Sequence, residues 1–346
     1  MILTLLACSL LLAGCWEEIT LTPPLATSTS GGEAGWFEVY FSDPSTPGLR
    51  GGPDARLAQA IERARLSVDI AAMDLDLWSL RDALIEAHRR GVSVRMVTES
   101  EYLDTPEIQE LKEAGIPLLG DRREGLMHNK FAVIDRQEVW TGSMNFTING
   151  AYRNDNNLVR VRSAQLAEDY TREFEEMFVQ DAFGPGSPAD TPYPTLTVDS
   201  TLLEVYFSPE DGTASRLVEL IENAQHSLNF LAYSFTSDEI AAAMINRFQA
   251  GVSVTGVLDA SQAESNLGGE YGNLRQAGLD VRLDGNRNRM HHKLIIIDGE
   301  IVVTGSYNFS LSAESRNDEN TLVIHNAEIA ARFLVEFERV YAQSQR

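Results

Sequence analysis

Met127-His128-Asn129-Lys130-Phe131-Ala132-Val133-Ile134-Asp135 recurs as Met290-His291-His292-Lys293-Leu294-Ile295-Ile296-Ile297-Asp298. Gly142-Ser143-Met144-Asn145 follows the first copy, and Gly305-Ser306-Tyr307-Asn308 follows the second at the same interval. A duplicated set of His, Lys and Asn is suited to handling a phosphate, and its duplication suggests one active site assembled from two halves.

The repeat reaches beyond these segments. Phe37-Glu38-Val39-Tyr40-Phe41-Ser42 matches Leu203-Glu204-Val205-Tyr206-Phe207-Ser208, and Gly91-Val92-Ser93-Val94 matches Gly251-Val252-Ser253-Val254. A unit of this length exceeds the roughly 20–50 residues of a solenoid repeat and has the size of a small domain. The chain is therefore a tandem duplication, with a first domain over 36–180 and a second over 202–346. Between them, 181–201 carries Pro185, Pro188, Pro192 and Pro194 among small polar residues and suits an exposed linker.

Within each half, Leu57, Ile61 and Ala64, matched by Leu217, Ile221 and Ala224, have the spacing of one helical face. Apolar runs at 66–73 and 228–235 follow, then helices over 79–90 and 237–250. The β-branched runs 92–97 and 252–258 open after Gly91 and Gly251 and predict buried strands. Alternating strands and helices place the fold in the α/β class. The run 128–134 predicts a strand leading through 135–138 into another at 139–141, and Asp298-Gly299 is a favoured hairpin turn.

Strand geometry divides the labour inside the motif. His128 and Lys130 share a face, whereas Asp135 leaves at the strand end on the other side, so Asp135 and Asp298 are expected to support a turn or an ion pair. Imidazole can attack phosphorus or protonate a leaving oxygen near neutral pH, and ammonium neutralises non-bridging oxygens. His88, His226 and His325 have no matching partner in the repeat and are expected to be ordinary core or surface residues. Lys112, Lys130 and Lys293 are the only lysines, and two of the three lie in the motifs. A chain that otherwise uses Arg but keeps Lys here suggests a need for a compact point charge. Lys112 falls in an expected helix over 106–114 and reads as a solvated face. The Gly-Ser-x-Asn turns could present backbone N–H, hydroxyl and amide groups to an anion, although for Ser143 and Ser306 taken singly a supporting turn role is the better expectation.

These residues resemble the phospholipase D superfamily, whose signature is His-x-Lys, four residues, Asp, six residues, Gly-Ser-x-Asn. Both copies fit it without a gap. The resemblance implies two tandem α/β/α domains, mixed sheets flanked by helices, related by a pseudo-twofold axis with both motifs at the interface. It implies a cofactor-free, metal-independent phosphodiesterase acting through a phosphohistidine, with His128 as nucleophile and His291 as general acid. Lys130, Lys293, Asn145 and Asn308 would bind the phosphoryl oxygens. It also implies an acidic residue after the second motif that orients a catalytic histidine, and Glu319 in Arg316-Asn317-Asp318-Glu319-Asn320 stands there. The matching stretch Arg153-Asn154-Asp155-Asn156-Asn157 has Asn156 instead, so the two histidines are expected to differ in basicity.

A metal held by His128, His291 and His292 is the competing reading. Ligands beside cationic Lys130 and Lys293 are electrostatically disfavoured, and no Cys remains to complete a zinc set. His292 is expected in the wall of the pocket or just behind the residues that line it, rather than as a catalyst.

The apolar stretch 1–13 is too short to span a bilayer as a mature helix, and Leu12-Ala13-Gly14-Cys15 resembles a bacterial lipobox. Although no Lys or Arg precedes Cys15, the expectation is a signal peptide over 1–14, lipidation at Cys15, a flexible tether over 15–35 and a place in the outer membrane. Cys8 would leave with the signal, and no disulfide would remain. The formal net charge of −23 and sequence pI of about 4.6 repel polyanions at long range, whereas proteins that bind duplex DNA usually present a basic surface. Arg122, Arg123, Arg287 and Arg289 could still form a local positive rim. Phospholipid is therefore the favoured substrate, with a nuclease of the same superfamily, cleaving single-stranded DNA or RNA, as the alternative. A surface-binding protein without catalysis is disfavoured because neither motif has lost His, Lys or Asn. With both motifs in one chain, a monomer suffices.

Overall fold

The computed structural model describes residues 35–345. The expected signal, the lipidation site Cys15 and nearly all of the tether lie outside the described residues.

The first half builds seven strands: β1 Phe37–Phe41, β2 Ser67–Ala72, β3 Ser93–Thr98, β4 Leu118–Gly120, β5 Lys130–Ile134, β6 Glu138–Thr141 and β7 Asn157–Arg162. They form one sheet in the order β1-β7-β6-β5-β2-β3-β4. The second half opens with β8 Thr195–Val198, followed by β9 Thr201–Ser208, β10 Ser227–Ala232, β11 Ser253–Leu258, β12 Asp280–Leu283, β13 Lys293–Ile297, β14 Ile301–Gly305 and β15 Glu319–His325. Its sheet runs β12-β11-β10-β13-β14-β15-β9-β8. In the first sheet β2, β3 and β4 pair in parallel, in the second β10, β11 and β12 do, and the remaining neighbours are antiparallel. The mixed sheets follow from that connectivity, because a parallel pair needs a crossover and an antiparallel pair needs only a turn.

Helices Pro53–Arg63 and Trp78–Arg89 cover the outer face of the first sheet through Leu57, Ile61, Leu80 and Leu84, which pack on Val68, Ile70 and Ala132. Thr213–Glu222 and Asp238–Gln249 do the same in the second half through Leu217, Ile221, Ile240 and Met244. The long helices Ala164–Gln180 and Ala327–Gln343 start at Ser163 and Asn326, whose side chains accept from the first free backbone N–H groups. Their Tyr170, Phe174, Phe333 and Phe337 join Phe131, Val133, Leu294 and Ile296 in a central core shared by both halves. Along β5, Phe131 and Val133 face this centre while Ala132 and Ile134 face outward, so the strand is buried on both sides.

Contacts between the halves are reciprocal. The N–H of His128 donates to Asp318 O at 3.0 Å, and that of His291 donates to Asp155 O at 2.9 Å. Equivalent groups exchanging equivalent contacts are the mark of a pseudo-twofold arrangement.

Several expectations change. The helices expected over 79–90, 237–250 and 106–114 run Trp78–Arg89, Asp238–Gln249 and Pro106–Glu113, shifts of one residue of the kind common at frayed ends. His128 lies ahead of β5 rather than within it. The Pro-rich stretch 181–201 is not simply an exposed linker. Phe183 and Leu196 are buried, Tyr193 N donates to Asp169, and β8 pairs with β9 as an edge strand. Pro192 and Pro194 precede β8, where their missing N–H groups cost no ladder bond.

Candidate active site

Positive-φ turns set up the motif. Asp135 and Arg136 have φ of 52° and 53°, and Asp298 and Gly299 have 53° and 66°, so both hairpins use left-handed pairs. The Asp135 carboxylate accepts from the N–H groups of Arg65, Leu66 and Ser67 at 2.7–3.1 Å. Asp298 accepts from Gln225, His226 and Ser227 at 2.7–2.8 Å. Both aspartates thus tie the strand exit to the neighbouring loop, the supporting position expected for them.

The two catalytic candidates receive their partners from the opposite half. His128 Nδ1 lies 2.7 Å from Glu319 Oε2. His291 Nδ1 lies 3.0 Å from both Asn156 Oδ1 and Ser143 O. Carboxylate, amide oxygen and carbonyl can only accept here, so each ring carries its proton on Nδ1 and leaves Nε2 unprotonated. The Asn156 amide is oriented by its own network, since Nδ2 donates to Gly150 O and Oδ1 accepts from Ser143 Oγ.

Ser143 and Ser306 are therefore committed. Ser306 Oγ donates to Glu319 Oε2 at 2.6 Å and accepts from Asn320 N, and Ser143 repeats this with Asn156 and Asn157 N. Neither hydroxyl is left to face an anion, and each holds the supporting place in its turn that was expected for it. The preceding glycines are required: Gly142 and Gly305 have φ of +147° and +146°, and a Cβ would fall 2.5 and 2.2 Å from the carbonyl oxygens of Asn157 and Asn320.

Lys130 Nζ donates to His128 O at 2.5 Å, and Lys293 Nζ to His291 O at 2.9 Å. Lys293 Nζ also lies 3.2 Å from His291 Nε2 and 4.8 Å over the Tyr233 ring. Burial pushes Lys130 down to about 7 against the pull of Glu319, and burial together with Lys130 pushes Lys293 well below its usual value. Burial lowers His128 to about 4, with Glu319 the chief opposing influence. His291 falls well below its ordinary value through burial, Lys293 and Lys130. The cavity is thus short of negative charge and long on donors, the environment an anionic phosphate would relieve. Asn145 and Asn308 could add donors only through their Nδ2 groups; their Oδ1 atoms, which can only accept, are buried without a hydrogen-bond partner among the described residues.

His292 faces away from this centre, with Nε2 3.0 Å from Glu336 and Nδ1 3.1 Å from Asn157. Three of the four rim arginines are engaged: Arg122 pairs with Asp181, Arg123 donates to Asp181 O, and Arg289 reaches Ser261 and Asp259. Sequence reasoning missed Tyr233, whose ring sits 4.5 Å from His291. Nothing in the repeat marks it, since Met73 stands at the matching place. It also missed Asn157 and Asn320, which accept from Thr304 and Thr141 across the interface. Their duplication in the matching stretches 153–157 and 316–320, which differ only at Asn156 and Glu319, is the available signal.

Comparison with known proteins agrees with this geometry. The family described as "Cardiolipin synthase, PLD-like domain" matches residues 57–178 and 217–341. The chain is 38% identical over 128 residues to a phospholipase D of Rickettsia prowazekii, which covers 37% of this chain and 62% of that protein. It is 35% identical over 133 residues to the mitochondrial cardiolipin hydrolase of Mus musculus, covering 38% and 60%. The chain thus spans about three-fifths of the length of these relatives. The phosphatidylserine synthase structure from Haemophilus influenzae Rd KW20 shares the fold, with a TM-score of 0.65 at 14% identity over 84% of each chain. Family matches over both halves, each carrying one complete His-Lys-Asp motif, place this chain in the phospholipase D superfamily.

Proposed function

We propose that this protein hydrolyses the headgroup phosphodiester bond of phospholipids, releasing phosphatidate and an alcohol. The observation that carries this is the pair of imidazoles with Nε2 unprotonated, one backed by a carboxylate and the other by neutral acceptors, among two buried lysines. His128 Nε2 attacks phosphorus and the P–O bond to the headgroup breaks. The departing oxygen takes a proton from His291, which gains one more readily once the anionic phosphate is bound. Glu319 stabilises the positive charge that the phosphohistidine places on the His128 ring. His291 then removes a proton from water, the water oxygen attacks phosphorus, and the P–N bond breaks to restore His128. Lys130, Lys293, Asn145 and Asn308 hold the phosphoryl oxygens, and no step calls for a metal.

Phospholipid is preferred to nucleic acid on three grounds. The relatives named above are a phospholipase D and a cardiolipin hydrolase, the net charge is −23, and most of the arginine rim is already paired. Lipidation of Cys15 would tether the enzyme to the outer membrane beside its substrate.

The test is choline release from phosphatidylcholine vesicles and cleavage of single-stranded DNA in parallel, by the protein starting at Trp36. Choline release abolished by either His128→Ala or His291→Ala is expected. DNA cleavage with intact lipid would move the protein to the nuclease reading, and a phosphorylated peptide containing His291 rather than His128 would reverse the order of attack.

A further inference from the structure

Beneath the site the halves differ in one charge. In the second half, Arg339 bridges two buried carboxylates: its Nη2 lies 2.6 Å from Asp155 Oδ1 and from Glu336 Oε1, and its Nε lies 2.8 Å from Glu336 Oε2. His292 adds a further contact to Glu336, and these partners hold that carboxyl below its usual range although burial opposes them. At the interval that separates His128 from His291, the residues matching Glu336, Arg339 and Asp155 are Glu173 and Glu176 of the first half and Asp318 of the second, with Asn129 in place of His292. The guanidinium has become a carboxylate. Glu210, from the turn after β9, joins the group.

The four acids have no compensating cation. Among the described residues, no Lys, Arg or His forms an ion pair with Glu173, Glu176, Glu210 or Asp318. One oxygen from each of Glu173, Glu176 and Glu210 lies within 4.8 Å of the others. Glu176 is 2% exposed, yet among the described residues its Oε1 has no hydrogen-bond partner, and Glu210 Oε2 is likewise buried and unpartnered there. Glu173 has one donor, Asn129 Nδ2 at 2.8 Å. Burial, then the neighbouring carboxylates, push Glu210 up to about 8 and Glu173 well above the carboxylate range. Carboxylate oxygens converging where the other half places a guanidinium, two of the three groups with a buried oxygen unpartnered among the described residues, call for positive charge.

We propose that Glu173, Glu176 and Glu210 form a calcium site, in which the ion occupies the role that Arg339 fills in the second half. An all-oxygen donor set selects a hard cation, and calcium accepts irregular coordination with water completing about six to eight ligands. The ion would stiffen the floor of the active site. Glu173 holds Asn129, the neighbour of His128, while Asp318 receives the His128 N–H and adjoins Glu319. The site is separate from the phosphodiesterase chemistry, and binding can be read without substrate.

The experiment is calorimetric titration of CaCl2 into the chelator-stripped full chain at pH 8.5, with thermal melting in calcium or EDTA. A one-site isotherm and a higher melting temperature in calcium are expected. Glu176→Arg rebuilds the second-half arrangement, so it should melt at one temperature with or without calcium and give no binding heat. Glu176→Gln removes one charged ligand, and binding should weaken by at least about tenfold. A wild-type protein giving neither heat nor a melting shift with calcium would overturn the proposal. So would a calcium response of wild-type strength in Glu176→Gln, which decides the matter even if the Arg variant does not fold. Should EDTA depress hydrolysis in wild type, Glu176→Arg should stay active in EDTA, which separates a structural ion from a catalytic one.

Discussion

Replacing Glu319 by Gln tests the asymmetry between the two histidines. The substitution keeps the shape and an acceptor for His128 Nδ1 and Ser306 Oγ, while the new amide nitrogen gives up the long 3.4 Å bond that Asn317 Nδ2 donates to Glu319 Oε1. Apart from that contact, what is lost is charge. A hydrogen bond to a charged group contributes about 1.5–3 kcal/mol and a neutral one about 0.5–1.5, so the variant forfeits about 1–2 kcal/mol when the His128 ring becomes cationic. At 1.36 kcal/mol per factor of ten, kcat/KM should fall by about 5–30-fold. The sign of the pH effect follows from the same contact. Glu319 holds His128 up against burial, which leaves it at about 4; with the carboxylate gone its proton affinity drops further. Attack needs the neutral ring, so the acid limb of the kcat/KM profile moves to lower pH while the maximum declines. Initial rates on phosphatidylcholine between pH 3 and pH 8 would measure both changes. A variant within about twofold of wild type, with its acid limb unmoved, would refute a role for the cross-half carboxylate in stabilising the charged ring.

The complementary substitution Asn156→Asp puts a carboxylate against His291 Nδ1, which should raise that ring's proton affinity and carry the basic limb of the profile to higher pH; an unshifted limb would count against His291 as the acid. On an aryl phosphodiester, whose leaving group departs without a proton, His291→Ala should retain far more activity than His128→Ala, and equal losses would argue against the division of roles. Asp298→Ala strips three backbone N–H groups of their acceptor and should cost about 1–3 kcal/mol of stability, seen as a lower urea midpoint with kcat unchanged. Burial opposes but does not outweigh those bonds, which hold the Asp298 carboxyl below its usual range. Its contribution is therefore complete at neutral pH and is lost as pH falls through the carboxylate range, and the gap between variant and wild type should close there.

Local pattern was enough for much of this molecule. The period of the apolar residues placed the helices bearing Leu57 and Leu217 and the buried strands, because a strand covered on both faces must be apolar throughout. The left-handed turn at Asp298-Gly299 and the supporting positions of Asp135 and Asp298 followed from residue type and parity. Where local pattern fell short, a distant contact intervened. The prolines between the halves suggested an open linker, yet Leu196 is buried because β9 offers β8 an unpaired edge. The serines read as turn supports from residue type, but their partners, Glu319 and Asn156, came only with the fold.

The sequence by itself determined the family, the duplication and the identity of His128, Lys130, His291 and Lys293, since these are carried by residue types at short fixed spacings. Tertiary structure alone decided which acceptor serves which histidine. Glu319 reaches His128 from 191 residues away, and Asn156 reaches His291 from 135. The same docking of two halves gathered Glu173, Glu176 and Glu210 without a cation. Contacts of that range are set by how two buried surfaces fit together, and no interval along one chain encodes them.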